Sequence, residues 1–320
     1  MILALQIVGG FLGLLIGGEL LVRGASAIAV RLGISPLVVG VVIVGFGTSA
    51  PELVTCIRAA LAGAPGIAIG NIVGSNIANI LLILGAAALM RPFLTSREAV
   101  VRDGSIVIVT AVAFAAAAST GLIERWMGGV FVLALVAYLV FTIRSDRKRP
   151  ATDGAKPAGE DVPEEVAASG SDPLARSILF VLAGIGLVML GAEYLVSGAV
   201  EVARLANVSE EVIGLTLVAV GTSLPELATS IMAAIKKHSE IALGNVLGSN
   251  VYNTIGIGGI TALVAPIPVS DNMRFFDIPM MVLISIILVV VVATGHRVAR
   301  WEGGVLLMLY AAYIGYQAQL

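Results

Sequence analysis

Charge is scarce in this chain. Only 12% of its 320 residues are Asp, Glu, Lys or Arg, whereas 58% are hydrophobic. Soluble domains carry about 25% charged residues, and the mean hydropathy here is +1.02. That balance excludes a sizeable soluble domain and describes an integral membrane protein. One cysteine, Cys56, excludes an intrachain disulfide framework. Two histidines and one cysteine leave no cluster for zinc or copper. No HExxH, GxSxG or dinucleotide fingerprint stands in a catalytic context, so neither an enzyme nor a cofactor is expected. The net charge of −2 says nothing about partners, because what matters is where the charges sit; the lipid bilayer is the partner expected, and no nucleic acid. The N-terminal stretch MILALQIVGGFLGLLIGGELLV has no charged leader region or cleavage site, so it is expected to persist as a first helix.

Long apolar runs are what the chain has in abundance. A span needs about 20 apolar residues. Candidates fall near 2–24, 35–61, 66–90, 103–121, 126–144, 175–203, 210–235, 239–265, 276–295 and 300–318. Residues 145–174, rich in Pro, Gly, Ala and acids, read as a disordered linker. The expected organisation is therefore a five-helix unit over 1–144, the linker, and a second five-helix unit over 175–320. The halves repeat: residues 45–79 align with 219–253 at a constant offset of 174, with 18 identities in 35 positions. GELLVRGA (18–25) matches AEYLVSGA (192–199), and RWMGGV (125–130) matches RWEGGV (300–305). An odd number of spans per half inverts the second half relative to the first. Inverted repeats place their ion sites near the midplane, where interrupted helices meet. With both termini outside, only Arg58, Arg125, Arg204 and Arg274 face outward, leaving the other fifteen of the 19 basic residues, and the linker, cytoplasmic. The fold expected is thus all-α, with ten transmembrane helices as two inverted-topology repeats. Helices 2, 3, 7 and 8 are expected to be discontinuous around a midplane ion site, in the cell (plasma or inner) membrane.

Two motifs occur once in each half. The first is GTSxPE: Gly47, Thr48, Ser49, Pro51 and Glu52, then Gly221, Thr222, Ser223, Pro225 and Glu226. Proline breaks a helix by removing a donor and crowding the preceding turn. Irregular backbone inside a membrane is tolerated where it faces protein or a wet cavity. Carbonyl, hydroxyl and carboxylate oxygens therefore gather at each break. The alternative is a plain proline kink with its polar groups satisfied locally, which two symmetric copies disfavour. The second motif is GNxxGSNxxN: Gly70, Asn71, Gly74, Ser75, Asn76 and Asn79, then Gly244, Asn245, Gly248, Ser249, Asn250 and Asn253. Ser75 and Asn79 share a helix face at i,i+4, and the glycines allow close helix approach. Interhelical hydrogen bonding is the rival role for these serines and asparagines. Asn71, Asn76, Asn245 and Asn250 fit tying down the break better than binding an ion. Glu19 is positioned to pair with Arg23, and Asp103 and Asp277 fall at span edges where water solvates them.

Glu52 and Glu226 are the carboxylates expected at mid-membrane. An all-oxygen set around them selects hard cations such as Ca²⁺, Mg²⁺ or Na⁺. Their joint charge of −2 matches one Ca²⁺; without a cation they repel one another until Na⁺ or protons take its place. That is the logic of an exchanger.

The paired GTSxPE and GSNxxN segments resemble the α-repeats of the cation/Ca²⁺ exchanger superfamily, in particular its prokaryotic Na⁺/Ca²⁺ antiporters, across nearly the whole chain. The resemblance implies that Glu52 and Glu226 bind Ca²⁺ with the backbone carbonyls of Thr48 and Thr222. It implies Na⁺ sites at Ser49, Ser75, Ser223 and Ser249 and at carbonyls near Gly45 and Ala219, with Asn79 and Asn253 lining the centre. Electrogenic exchange of Na⁺ for Ca²⁺ by alternating access follows, with the first and sixth helices sliding and no resident cofactor. Several relatives carry Asp where Asn253 stands, the K⁺-dependent branch typically so, which implies K⁺-independent exchange. A Ca²⁺/H⁺ antiporter using the same glutamates is the alternative; proton-coupled relatives usually carry a GNxxE pattern instead. The site is complete within one chain, which fits a monomer.

Overall fold

The computed structural model describes residues 2–94, 97–147, 173–206, 219–295 and 297–317. The described residues are helical almost throughout. Helix α1 (Ile2–Leu32) is followed by α2, split into α2a (Pro36–Thr48) and α2b (Ala50–Leu61). Next come α3 (Pro65–Met90), α4 (Arg97–Ala118) and α5 (Arg125–Arg147). The second half holds α6 (Leu174–Leu205), a short turn (Ala219–Gly221), α7 (Leu224–Ile235) and α8 (239–264). Helices α9 (273–295) and α10 (Arg300–Gln317) complete it. Among the described residues, five helices are long and apolar enough to cross a membrane, six when the bent α2 counts as one. The first part of the expected seventh span and most of the linker (207–218 and 148–172) lie outside the described residues.

The sequence sets these boundaries locally. Helix α2a opens at Ser35, whose Oγ accepts from Val38 N at 3.3 Å, with Pro36 in the first turn where its missing N–H is harmless. Asp146, at the end of α5, accepts from Ser35 N at 2.6 Å. Helix α2 bends by 42° at Ser49, whose φ and ψ of −85° and 2° leave the helical region just ahead of Pro51. Ser223 takes nearly the same values, −91° and 4°, ahead of Pro225. Helices α3 and α8, expected to be interrupted, run on through π turns instead, at Asn79–Leu84 and Tyr252–Ile257. A π turn inserts a residue without breaking the helix, and such turns often mark functional positions. Neither segment has a proline there to force a gap.

Glycine decides the packing. Helices α1 and α6 lie together along Gly10, Gly13, Gly17 and Gly24 on one side and Gly184 and Gly191 on the other. A Cβ on Gly10 would sit 2.5 Å from Leu195 N, and one on Gly184 equally close to Leu21 N. Helix α2a crosses into the other half in the same way. Gly40 rests on Ile241 and Gly244, and Gly248 rests on Val41. The packing role expected for Gly244 and Gly248 holds; for Gly70 and Gly74 no such backbone approach occurs among the described residues.

Two short antiparallel pairs also join the halves: Phe93–Leu94 with Arg297–Val298, and Leu122–Ile123 with Ile267–Pro268. Two expectations need correction. Asp103 and Asp277 are buried at 0% and 1% exposure, not solvated. Asp103 is held bidentately by Arg102 at 3.0 and 2.9 Å. Asp277 accepts from Asn272 (3.0 Å), Tyr313 (3.1 Å) and Gln317. Glu19 pairs with Lys236 at 2.8 Å, while Arg23 lies over the Phe180 ring. Packing of α1 on α7 brings Lys236 to Glu19, which an i,i+4 rule within one helix does not foresee.

Candidate functional site

Both helix breaks point their polar residues inward. Glu52 and Glu226 stand in the first turns of α2b and α7, each 2% exposed. That position follows from the break, since a helix N-terminus carries free N–H groups and favours an anion. Both carboxylates lie in one buried polar cluster that spans the two halves. Ser49, at the first break, donates to Glu226 Oε1 at 3.0 Å, so the first half reaches the second half's acid. Helix α7 packs on the π turn that begins with Asn79, and α2b packs on the π turn that holds Asn253.

The remaining candidates gather around this pair. Thr48, Ser49, Ser75, Ser223, Ser249, Asn79 and Asn253 are buried, and Thr222 is half-buried. Ser223 Oγ meets Ser75 Oγ across the halves at 3.5 Å. Gly45 ends the π turn of α2a, and a Cβ there would lie 3.2 Å from Ser249 N. Ala219 opens the short turn that packs on the first part of α3; its backbone is placed and its side-chain surroundings lie outside the described residues. Asn71 and Asn245 do tie the breaks down, but across halves. Asn71 Oδ1 accepts from Thr222 at 3.3 Å, and Asn245 Oδ1 from Thr48 at 3.1 Å. Asn76 and Asn250 bond back to Ile72 O and Val246 O within their own helices, at 2.7 and 2.8 Å.

Three residues went unforeseen. Cys56 and Ser230 anchor the two asparagines, at 3.2 and 2.9 Å from their Nδ2 atoms. Both lie four residues past a glutamate, so the i,i+4 rule could have found them. Tyr252 was missed as well; its hydroxyl reaches Val42 O at 3.4 Å and its ring packs on Phe46.

Several buried polar atoms here have no hydrogen-bond partner. They are Glu52 Oε2, Glu226 Oε2, Ser249 Oγ, Asn253 Oδ1 and both amide atoms of Asn79. Each such group costs roughly 1–3 kcal/mol when left unsatisfied. Five of these six atoms are oxygens, and two belong to carboxylates. Hard cations take that donor set, whereas zinc and copper prefer nitrogen and sulfur.

Buried acids at paired helix breaks, in a bundle with a lipid-fit exterior, define the class as an integral-membrane cation carrier. Comparison with known proteins supplies the family. Residues 2–144 and 176–319 match the family described as sodium/calcium exchanger protein. The sodium/calcium exchanger MaX1 of Methanosarcina acetivorans is 37% identical over 333 residues, covering 95% of each chain. The inner membrane protein YrbG of Escherichia coli is 35% identical, over 89% of this chain and 86% of its own. Among solved structures, the sodium-calcium exchanger NCX_Mj soaked without Na⁺ and Ca²⁺ superposes with a TM-score of 0.84. It is 29% identical and matched over 99% of both chains. The chain belongs to the sodium/calcium exchanger family, a family of antiporters and not of enzymes.

Proposed function

We propose that this chain exchanges Na⁺ for Ca²⁺ electrogenically, without K⁺, by alternating access at one site between Glu52 and Glu226. The observation that carries the reading is the set of buried, unpartnered oxygens at the two breaks. Ca²⁺ neutralises both glutamates at once and takes the carbonyls of Thr48 and Thr222. Na⁺ competes through Ser49, Ser75, Ser223 and Ser249 and the carbonyls of Gly45 and Ala219, with Asn79 and Asn253 between the acids. Asn253 contributes no charge, so the site carries −2 and has no third carboxylate to neutralise with K⁺.

The same reading gives ten spans in two inverted halves, 1–144 and 175–320. It puts the termini outside and the 145–174 linker in the cytoplasm of a plasma or inner membrane. The glycine seam between α1 and α6 supports their sliding as a pair, because backbones packed this closely hold the two helices together as one body. Both breaks come from one chain, so a monomer suffices.

The test is Ca²⁺ uptake into Na⁺-loaded liposomes diluted into Na⁺-free, K⁺-free buffer, with a parallel set carrying only a pH gradient. Uptake driven by Na⁺ and stimulated by a membrane potential is expected. Uptake driven by the pH gradient alone would make the chain a Ca²⁺/H⁺ antiporter on the same glutamates.

A further inference from the structure

Asn245 is fully buried, and its amide makes three hydrogen bonds that fix its orientation. Nδ2 lies 3.3 Å from the Glu226 carbonyl oxygen and 2.9 Å from Ser230 Oγ. A carbonyl can only accept, so the NH₂ faces Glu226 and Oδ1 faces Thr48. Thr48 must then be the donor of the 3.1 Å bond to Oδ1. Its hydroxyl has one proton and three acceptors within 3.5 Å: Asn245 Oδ1, Val44 O at 3.1 Å and Gly45 O at 3.4 Å. Gly45 O already accepts from Ser49 N at 3.1 Å. Asn245 Oδ1, at 0% exposure, takes its hydrogen bond from Thr48. Asn245 Oδ1 has no other donor among the described residues, which favours placing the proton there.

We infer that Asn245 is a positioning residue for Na⁺, drawing the Thr48 proton off the Gly45 carbonyl so that a lone pair there stays open to the cation. This rests on the reading above, in which the Gly45 carbonyl faces Na⁺ and the glutamates hold Ca²⁺. The other half repeats the arrangement in a weaker form. Asn71 Oδ1 is shared between Thr222 and Ser75, both at 3.3 Å, and its NH₂ donates to the Cys56 sulfur, a poor acceptor. The effect is therefore concentrated at Asn245.

The experiment measures half-saturating Na⁺ and Ca²⁺ concentrations separately in proteoliposomes, for wild type, Asn245→Leu and Asn245→Leu with Thr48→Val. Losing the acceptor sends the Thr48 proton to the carbonyls. Half-saturating Na⁺ should rise about fivefold in Asn245→Leu, the size of one net hydrogen bond. Half-saturating Ca²⁺ should change less than about twofold, and Thr48→Val, by deleting the proton itself, should bring Na⁺ back towards wild type. A purely structural asparagine predicts the opposite, with both ions weakened and the second substitution deepening the loss. That result, or an unchanged Na⁺ dependence, overturns the inference. Asn245→Ala replaces the leucine variant if the latter does not fold. Glu52→Gln in the same assay separates the two levels: normal exchange there removes the site reading, whereas its loss beside an unaltered Asn245 variant removes only the role of Asn245.

Discussion

The two halves share their candidate ion-binding groups and differ one layer behind them. Each break offers Thr, Ser and Glu after a glycine, and the breaking serines have nearly equal backbone angles. Behind them, Asn245 is anchored by the oxygens of Ser230 and Glu226, whereas Asn71 is anchored by the sulfur of Cys56. Glu226 accepts from Ser49 of the other half, while the matching Ser223 turns to Ser75. Asp103 is paired with an arginine, but its counterpart Asp277 is surrounded by amides and a phenol. Repetition fixed the donor set, and divergence in the supporting contacts made the halves inequivalent. A carrier that must open to two different solutions has use for such inequivalence.

The sharpest way to break the comparison is at the acids. Glu52→Gln and Glu226→Gln should each reduce Na⁺-driven Ca²⁺ uptake by about 100-fold or more, because either removes half of the site's charge in a desolvated place. Glutamine at 226 still accepts from Ser49, so a milder Glu226 defect would show that the hydrogen bond, not the charge, distinguishes the acids.

At the buried aspartates the halves should part in stability. Asp103→Asn takes away the bidentate charge partner of Arg102 and should cost about 3 kcal/mol. Asp277→Asn, with neutral donors around it, should cost about 1–2 kcal/mol. Thermal unfolding in detergent compares them, and equal losses would erase the distinction.

The turns after α2b and α7 differ by one side chain in a left-handed position: Gly63 at φ +74° and Lys237 at φ +68°. Lys237→Gly should stabilise by roughly 0.5–1 kcal/mol and Gly63→Lys should destabilise by a similar amount, read as opposite shifts in melting temperature.

The smallest effect concerns His238, which stands where the first half has Ala64. Burial, aided by the neighbouring Lys236, holds its imidazole below the ordinary 6.5. The unfolded chain therefore binds the proton more readily than the folded one. Stability should fall as pH drops through 6.5 and level off below the folded-state value. His238→Ala should flatten that slope in melting curves between pH 7 and 5, leaving the turn to behave like the one at Ala64.

How much of this was legible beforehand varied by residue. Pro51 and Pro225 announced the breaks, since a missing N–H acts wherever the residue stands. Glu52 and Glu226 announced the proposed site, because a carboxylate within an apolar run needs a reason. Cys56 and Ser230 were visible only as residues one turn past an acid, and their asparagine partners sit 15 positions away. Asp103 and Asp277 were misjudged as solvated because sequence position near a span end does not report what packs over it.

By itself the sequence determined a membrane protein of two repeated halves, its candidate oxygen donors and the places where helices yield, because hydropathy, proline chemistry and repetition act locally. Tertiary structure decided that Ser49 serves Glu226, that Asn245 holds Thr48, and that helices 3 and 8 run on through π turns without parting. Those pairings depend on backbones crossing at glycines from opposite halves, and the distance between such backbones is set by packing.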